Sequence, residues 1–284
     1  MPNSEPLSVV IFPREVRFAW RGIQYKAPKR LEPHRQSLID HHKTRSKVFD
    51  NEMLRVDSIS ENDDGCLTIY LCPTTYFDTL ITNRSLGVEL PSGQTVRELL
   101  VPEGEGFDPF AISPLSNHLG ATVMVQVEDS IAFVKRNALV STGKNTLGAS
   151  VTGSVKGKYA LDGNGVLRPD GVKKAVEEEV LDEAGFSVVF EDDWIKAVFF
   201  DLEEGNKPNL YAEIEFPGTK EEYVSVFTGN PAPDTDGDDV IFLEIDELET
   251  SNIDGQYLVT RDNCYKLSTT TAEAMEIWLE LNSK

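Results

Sequence analysis

The sequence predicts a mixed α/β sandwich with a smaller α+β part in front of it. Short β-rich segments alternate with amphipathic helical stretches and show no internal repeat. Gly and Pro accumulate from Pro91 to Pro114, including VPEGEGFDPF, which marks a joining segment and places a boundary near Asn117, giving parts 1–117 and 118–284. A third observation is the stretch Ala175–Phe186, AVEEEVLDEAGF, whose apolar positions recur at helical spacing and which ends at Gly185.

In chain order, LSVVIFP and VRFAW are rich in β-branched and aromatic residues and read as strands. PHRQSLIDHHKTRSKVF reads as a helix; its adjacent His41 and His42 point in different directions, which argues against a shared metal ion. LRVDSI and CLTIYLC flank Asn62-Asp63-Asp64-Gly65, a hairpin signal. TYFDTLITNRSL reads as a short helix and turn. GATVMVQVEDSIAFVKRN gives two strands joined at Glu128–Ser130, and ASVTGSV another. WIKAVFFDLEEGNKPNLYAEIEF reads as a hairpin in which Leu210, Ala212, Ile214 and Phe216 face a core and Tyr211, Glu213 and Glu215 form a polar face. KEEYVSVFTG is helical, VIFLEI a strand, and TAEAMEIWLEL a closing amphipathic helix. The acidic run Asp234–Asp239 lacks the Gly and Glu spacing of a calcium loop and reads as a turn.

Composition restricts the function classes. With 284 residues and 40% hydrophobic content the chain has enough apolar material for a full core. No apolar run approaches the roughly 20 residues of a membrane span, and MPNSEPLSVVIFP lacks a signal-peptide layout, so a cytoplasmic protein without membrane association is expected. Cys66, Cys72 and Cys264 form no C-x-x-C pair, which fits a reducing compartment. A net charge of −21 disfavours nucleic acid as a partner. The charge is uneven: residues 1–50 hold ten Lys/Arg against five Asp/Glu, a net of +5, so residues 51–284 carry −26. A basic part facing an acidic metal-binding part suits a phosphate-rich small molecule held between them, and sequence drift or a subunit contact is an equal account of the asymmetry.

Chemistry concentrates in the acidic helix. Glu179, Asp182 and Glu183 stand at i, i+3 and i+4 and so share one stripe. Val172, Ala175, Val176, Val180 and Ala184 define the apolar face, and Glu179 and Glu183 fall within it. Carboxylates directed into a fold require a counter-charge, because leaving one unpaired there costs several kcal/mol. Hard oxygen ligands with open positions suit Mg²⁺ or Mn²⁺. The competing reading is a solvated acidic face, common in so acidic a chain.

This constellation resembles the Nudix box, G-x5-E-x7-R-E-U-x-E-E-x-G-U with U apolar. Aligned on Gly185, the chain supplies Glu179, Val180, Asp182, Glu183 and Phe186 at the matching places, with Asp170 where the first Glu belongs. The arginine position is Glu178, and sixteen residues separate Gly153 from Asp170 where the pattern has five. Together with FDNEMLRVDSI, TYFDTLITNRSL and SIAFVKRN, this is similar to the divergent Nudix branch of UDP-glucose diphosphatases, in which the box arginine is also lost and an insertion precedes the helix.

The resemblance implies an α/β/α sandwich, a Mg²⁺ or Mn²⁺ site at Glu179, Asp182 and Glu183 with Asp170 as an outer ligand or as a hydrogen-bond acceptor behind the ligands, and hydrolysis of a UDP-sugar to UMP and a sugar 1-phosphate. Metal-offset charge at the diphosphate needs no protein nucleophile. Candidate substrate contacts are Arg136 and Glu213, for which solvent-facing strand positions are an equal account, and Tyr76, Thr82 and Asn83, for which packing and capping are the alternative. ADP-ribose, NADH or a nucleoside triphosphate is the alternative substrate, and a Nudix-fold nucleotide-binding module without hydrolysis the alternative class.

Overall fold

The computed structural model of the chain describes residues 8–44, 46, 48–101, 113–136, 145–230 and 237–282. The first part contributes β1 (Ser8–Ile11), β2 (Glu15–Trp20), α1 (Arg35–Lys43) behind a 3-10 turn, β3 (Glu52–Glu61), β4 (Cys66–Thr75), α2 (Tyr76–Ile81) and α3 (Val96–Leu100). α3 forms inside the expected joining segment because Thr95 and Glu98 make a reciprocal capping box. Residues 102–112 of that segment and 234–236 of the expected acidic turn lie outside the described residues, whereas 237–239 of that turn belong to a strand.

The second part runs β5 (Gly120–Val127), β6 (Ser130–Arg136), β7 (Leu147–Ala149), β8 (Val151–Ser154), α4 (Gly157–Ala160), α5 (Gly171–Ala184), β9 (Ala197–Asp201) and β10 (Lys207–Glu215). It continues with α6 (Lys220–Gly229), β11 (Gly237–Glu244), α7 (Ile245–Leu248), β12 (Asn252–Asp254), β13 (Tyr257–Val259), β14 (Cys264–Lys266) and α8 (Thr269–Asn282). The main sheet is mixed, in the order β1-β9-β10-β5-β6-β11, with β7 against β6 and β8 against β5. β10 and β5 are parallel and their neighbours antiparallel. The single strand expected over ASVTGSV is broken at Ser150: its hydroxyl accepts from Val125 N and donates to Ala132 O, filling the gap where β5 leaves β8 for β6.

Helices cover both faces of this sheet, and the period-2 alternation of its strands shows how. Val123, Val198, Phe200, Leu210 and Ala212 pack with Val172, Val176 and Val180 of α5. Met124, Ala197, Phe199 and Tyr211 pack on the other face with Ala274, Met275 and Trp278 of α8. Each of the three α5 valines is buried and stabilises the contact by roughly 1.5–2 kcal/mol. The polar face expected for β10 is corrected at Tyr211, which is fully buried against the α8 layer, while Glu213 is half-buried and Glu215 exposed toward the strand's end.

β1 pairs antiparallel with β9, Ser8 opposite Asp201, so the start of the chain closes an edge of the main sheet. β2, β4 and β3 form a separate three-stranded sheet, whose Leu54, Ile69 and Leu71 share one apolar core with Leu119, Val123 and α5. Residues on the two sides of Asn117 thus bury a common surface. Cys66, Cys72 and Cys264 are free thiols, and among the described residues no helix is long and apolar enough to cross a membrane.

Candidate functional site

Glu179, Asp182 and Glu183 lie on the face of α5 turned toward β8. The helix stops one residue past Ala184 because Gly185 adopts a left-handed conformation, φ 82°, and its N–H returns to Leu181 O. Glu183 accepts the backbone N–H of Thr152 at 2.8 Å, fastening α5 to β8. Glu179 is buried, and its carboxylate lies directly over Gly153. A Cβ at position 153 would fall inside that carboxylate, so the strand needs glycine there for packing.

The counter-charge is intramolecular. Lys156, just beyond β8, places Nζ 2.8 Å from Glu179 Oε2 and 3.4 Å from Asp182 Oδ2. Tyr159 OH donates to the same Asp182 oxygen at 3.4 Å. Burial disfavours the Lys156 ammonium, yet Glu179, Asp182 and Glu183 together hold its pKa above the ordinary value, so it stays charged. Glu179 Oε2 faces that ammonium; burial raises the Glu179 pKa from its ordinary value, and Lys156 opposes the rise.

Lys156 is itself held from behind. Leu54 N donates to Val155 O at 3.2 Å, Met53 bridges Lys156 backbone to backbone, and the Glu52 side chain covers Gly157. Strand β3 of the first part thereby fixes the loop that carries the cation. An open groove of about 600 Å³ lies between the ends of α5 and α6, and Asp182 is the member of the trio that lines it.

In chemical terms the trio offers hard oxygen donors suited to a divalent cation: three carboxylates share one stripe, and one of them is buried in a glycine recess with its Oε2 against the Lys156 ammonium. In this conformation, however, no group of three or more His, Cys, Asp or Glu side chains among the described residues is arranged to hold a metal ion. Lys156 stands between Glu179 and Asp182, while Glu183 is turned to Thr152. A divalent ion therefore requires the ammonium to leave.

The remaining candidates separate from this site. Asp170 is exposed at the N-cap of α5, nine residues before Glu179 and so about 13 Å away along the helix axis, too far for an outer ligand. Glu178 points off the stripe and pairs with Lys174 at 3.0 Å. Glu213, opposite Met124, faces the α8 side of the sheet and accepts Tyr211 OH at 2.8 Å, so it projects away from α5. Arg136 is buried across Gly148 and is not the solvent-facing strand residue considered from the sequence.

Thr82 and Asn83 are buried structural groups. Thr82 Oγ1 donates to Asp78 O at 2.6 Å and accepts from Ser116 N at 3.1 Å. Asn83 Nδ2 donates to Asn117 Oδ1 at 2.7 Å and to Glu204 O at 2.8 Å, and its Oδ1 accepts from Asn117 N at 2.9 Å. These bonds tie the first part to the β9–β10 turn, which explains burial of polar groups at a seam. Tyr76 is half-buried, its ring 6.2 Å from that of His118. His118 links Thr79 Oγ1 at 2.7 Å to Ser154 Oγ at 3.0 Å, and burial holds its pKa well below the ordinary range, leaving a neutral ring.

Sequence reasoning missed Lys156, Tyr159 and the packing role of Gly153. The one available signal was the requirement for a counter-charge, together with a lysine three residues after Gly153 in the inserted segment. In the comparisons with known proteins, no protein-family model matches the chain and no curated protein matches it.

Proposed function

We propose that the chain is a Nudix-like hydrolase of a nucleoside diphosphate-linked small molecule, with a UDP-sugar cleaved to UMP and a sugar 1-phosphate as the specific reaction. The observation that carries this reading is the Glu179 carboxylate, buried in the Gly153 recess on the same helix stripe as Asp182 and Glu183. A solvated acidic face has no reason to bury its first member or to require a glycine opposite it. Glu179, Asp182 and Glu183 are the residues that would hold Mg²⁺ or Mn²⁺, which when bound offsets phosphate charge and lowers the pKa of water.

The chain's own groups have separate tasks. Glu183 keeps α5 in register with β8 through the Thr152 N–H. Gly153 leaves room for Glu179, and Tyr159 orients Asp182. Water adds across the anhydride: its oxygen bonds to one phosphorus, the bridging P–O bond breaks, and the protons released by water are shared between the leaving phosphate and solvent. UDP as the nucleotide rests on the family resemblance alone.

A second reading, a nucleotide-binding module without hydrolysis, is favoured by the Lys156 ammonium bridging Glu179 and Asp182. Phosphorus NMR of UDP-glucose, ADP-ribose, NADH and a nucleoside triphosphate incubated with the protein and Mg²⁺ separates the possibilities. UMP and glucose 1-phosphate are expected. Cleavage of another diphosphate alone would correct the substrate, and binding of a diphosphate without cleavage would establish the second reading.

A further inference from the structure

We propose that Lys156 is the resident occupant of the carboxylate site, and that its ammonium and a divalent cation bind there in mutual exclusion. The inference rests on the reading of Glu179, Asp182 and Glu183 as cation ligands. Lys156 Nζ lies 2.8 Å from one carboxylate and 3.4 Å from a second, where an incoming cation would need the same oxygens. An ammonium and a divalent ion at those oxygens repel one another in a partly buried setting, where like charges are weakly screened.

The exchange is a side-chain movement. The backbone at Val155 and Lys156 is stitched to Leu54 and Met53 of β3, and Gly157 is closed over by Glu52, so the loop has little freedom. The Lys156 side chain retains 18% exposure, so its flexible four-carbon stem has a path toward solvent. The carboxylates of Glu179, Asp182 and Glu183 then close on the incoming ion, since in the ammonium-bound arrangement no three of them are placed to hold one. Once expelled, the ammonium remains tethered beside the site by its fixed backbone. Strand β3 of the first part thus holds the backbone from which the competing ammonium projects.

Mn²⁺ binding to the full chain, read by loss of the free-ion electron paramagnetic resonance signal, tests this without reference to turnover. Lys156→Gln removes the competitor and should tighten binding by on the order of tenfold or more. Lys156→Arg retains the charge and should stay as weak as wild type, and Glu179→Gln in the Lys156→Gln background should abolish the gain. Equal Mn²⁺ affinity of folded wild type and Lys156→Gln would overturn the proposal. A second measurement avoids the variant: acetic anhydride labelling of wild type should modify Lys156 faster with saturating Mn²⁺ than without it, and protection that persists while Mn²⁺ is bound would overturn the proposal too. Tight Mn²⁺ binding by Lys156→Gln alongside a wild type that cleaves no diphosphate would leave this inference standing and refute the hydrolase reading. Hydrolysis by wild type with Mn²⁺ affinity indifferent to Lys156 would do the reverse.

Discussion

Glu273→Met should stabilise the protein, and by an amount that grows with pH. Glu273 sits on α8 with no exposed surface, and neither carboxyl oxygen has a hydrogen-bond partner among the described residues. Burial, reinforced by the charge of Asp201 and opposed by Lys207, pushes its pKa from the ordinary 4.5 up to about 10. Below pH 4.5 the carboxyl is protonated in both folded and unfolded chains. As pH rises from there toward about 10, the unfolded chain releases the proton and the folded chain keeps it, so folding loses stability across that window. Each pH unit erodes about 1.4 kcal/mol, which amounts to roughly 3 kcal/mol by pH 7. Methionine has similar length and no proton to retain, so the variant escapes this loss. Asp201, raised to about 6 by burial and by the Glu204 charge, titrates in the lower part of the range, so the interval from pH 7 to 8 isolates Glu273. Urea unfolding of both proteins at pH 5, 6, 7 and 8 measures the difference in midpoint. A gap that does not widen with pH, or a variant less stable than wild type at pH 8, would show that Glu273 is not buried as a neutral acid.

Glu179→Gln and Glu183→Gln should each depress turnover of the best diphosphate by about a hundredfold or more, far more than they lower stability in urea unfolding; wild-type rates in both would refute the hydrolytic site, and the loss rests on removing a cation ligand while keeping shape. Gly153→Ala drives a methyl group into the Glu179 carboxylate, so it should cost about 1–3 kcal/mol in urea unfolding and reduce Mn²⁺ binding as Glu179→Gln does. Glu178→Gln removes only a partly exposed pair with Lys174 and should change stability by less than about 0.5 kcal/mol and leave turnover near wild type; a deep loss would place the ligand stripe one residue earlier. Asn83→Ala removes the bonds to Asn117 N, Asn117 Oδ1 and the Glu204 carbonyl, so a loss of roughly 2–4 kcal/mol in thermal or urea unfolding is expected, and an unchanged midpoint would refute its bridging role.

Local periodicity made much of the architecture legible. The β3–β4 hairpin, the β5–β6 pair, the acidic helix with Gly185 at its end and the closing α8 all follow from alternation, helical spacing and turn residues within a few positions of one another. The helix stripe likewise fixed that Glu179 faces inward, because i, i+3 and i+4 relations are internal to one element. The same reasoning showed that these acids need a positive charge, but not which one. Lys156 lies twenty-three residues before Glu179, across an insertion and the start of a helix, and only the packing of β8 against α5 brings them to 2.8 Å. Thr82 and Asn83 have side chains suited equally to a ligand or to a seam; Asn117 and Glu204 decided between these, and Glu204 is 121 residues away in the chain. β1 reads as an isolated strand until β9, nearly two hundred residues later, supplies its hydrogen bonds. What the sequence by itself determined is whatever one helix or one hairpin can encode. Tertiary structure decided the partner of each buried charge, because electrostatic pairing acts through space between segments whose separation along the chain carries no information about their distance.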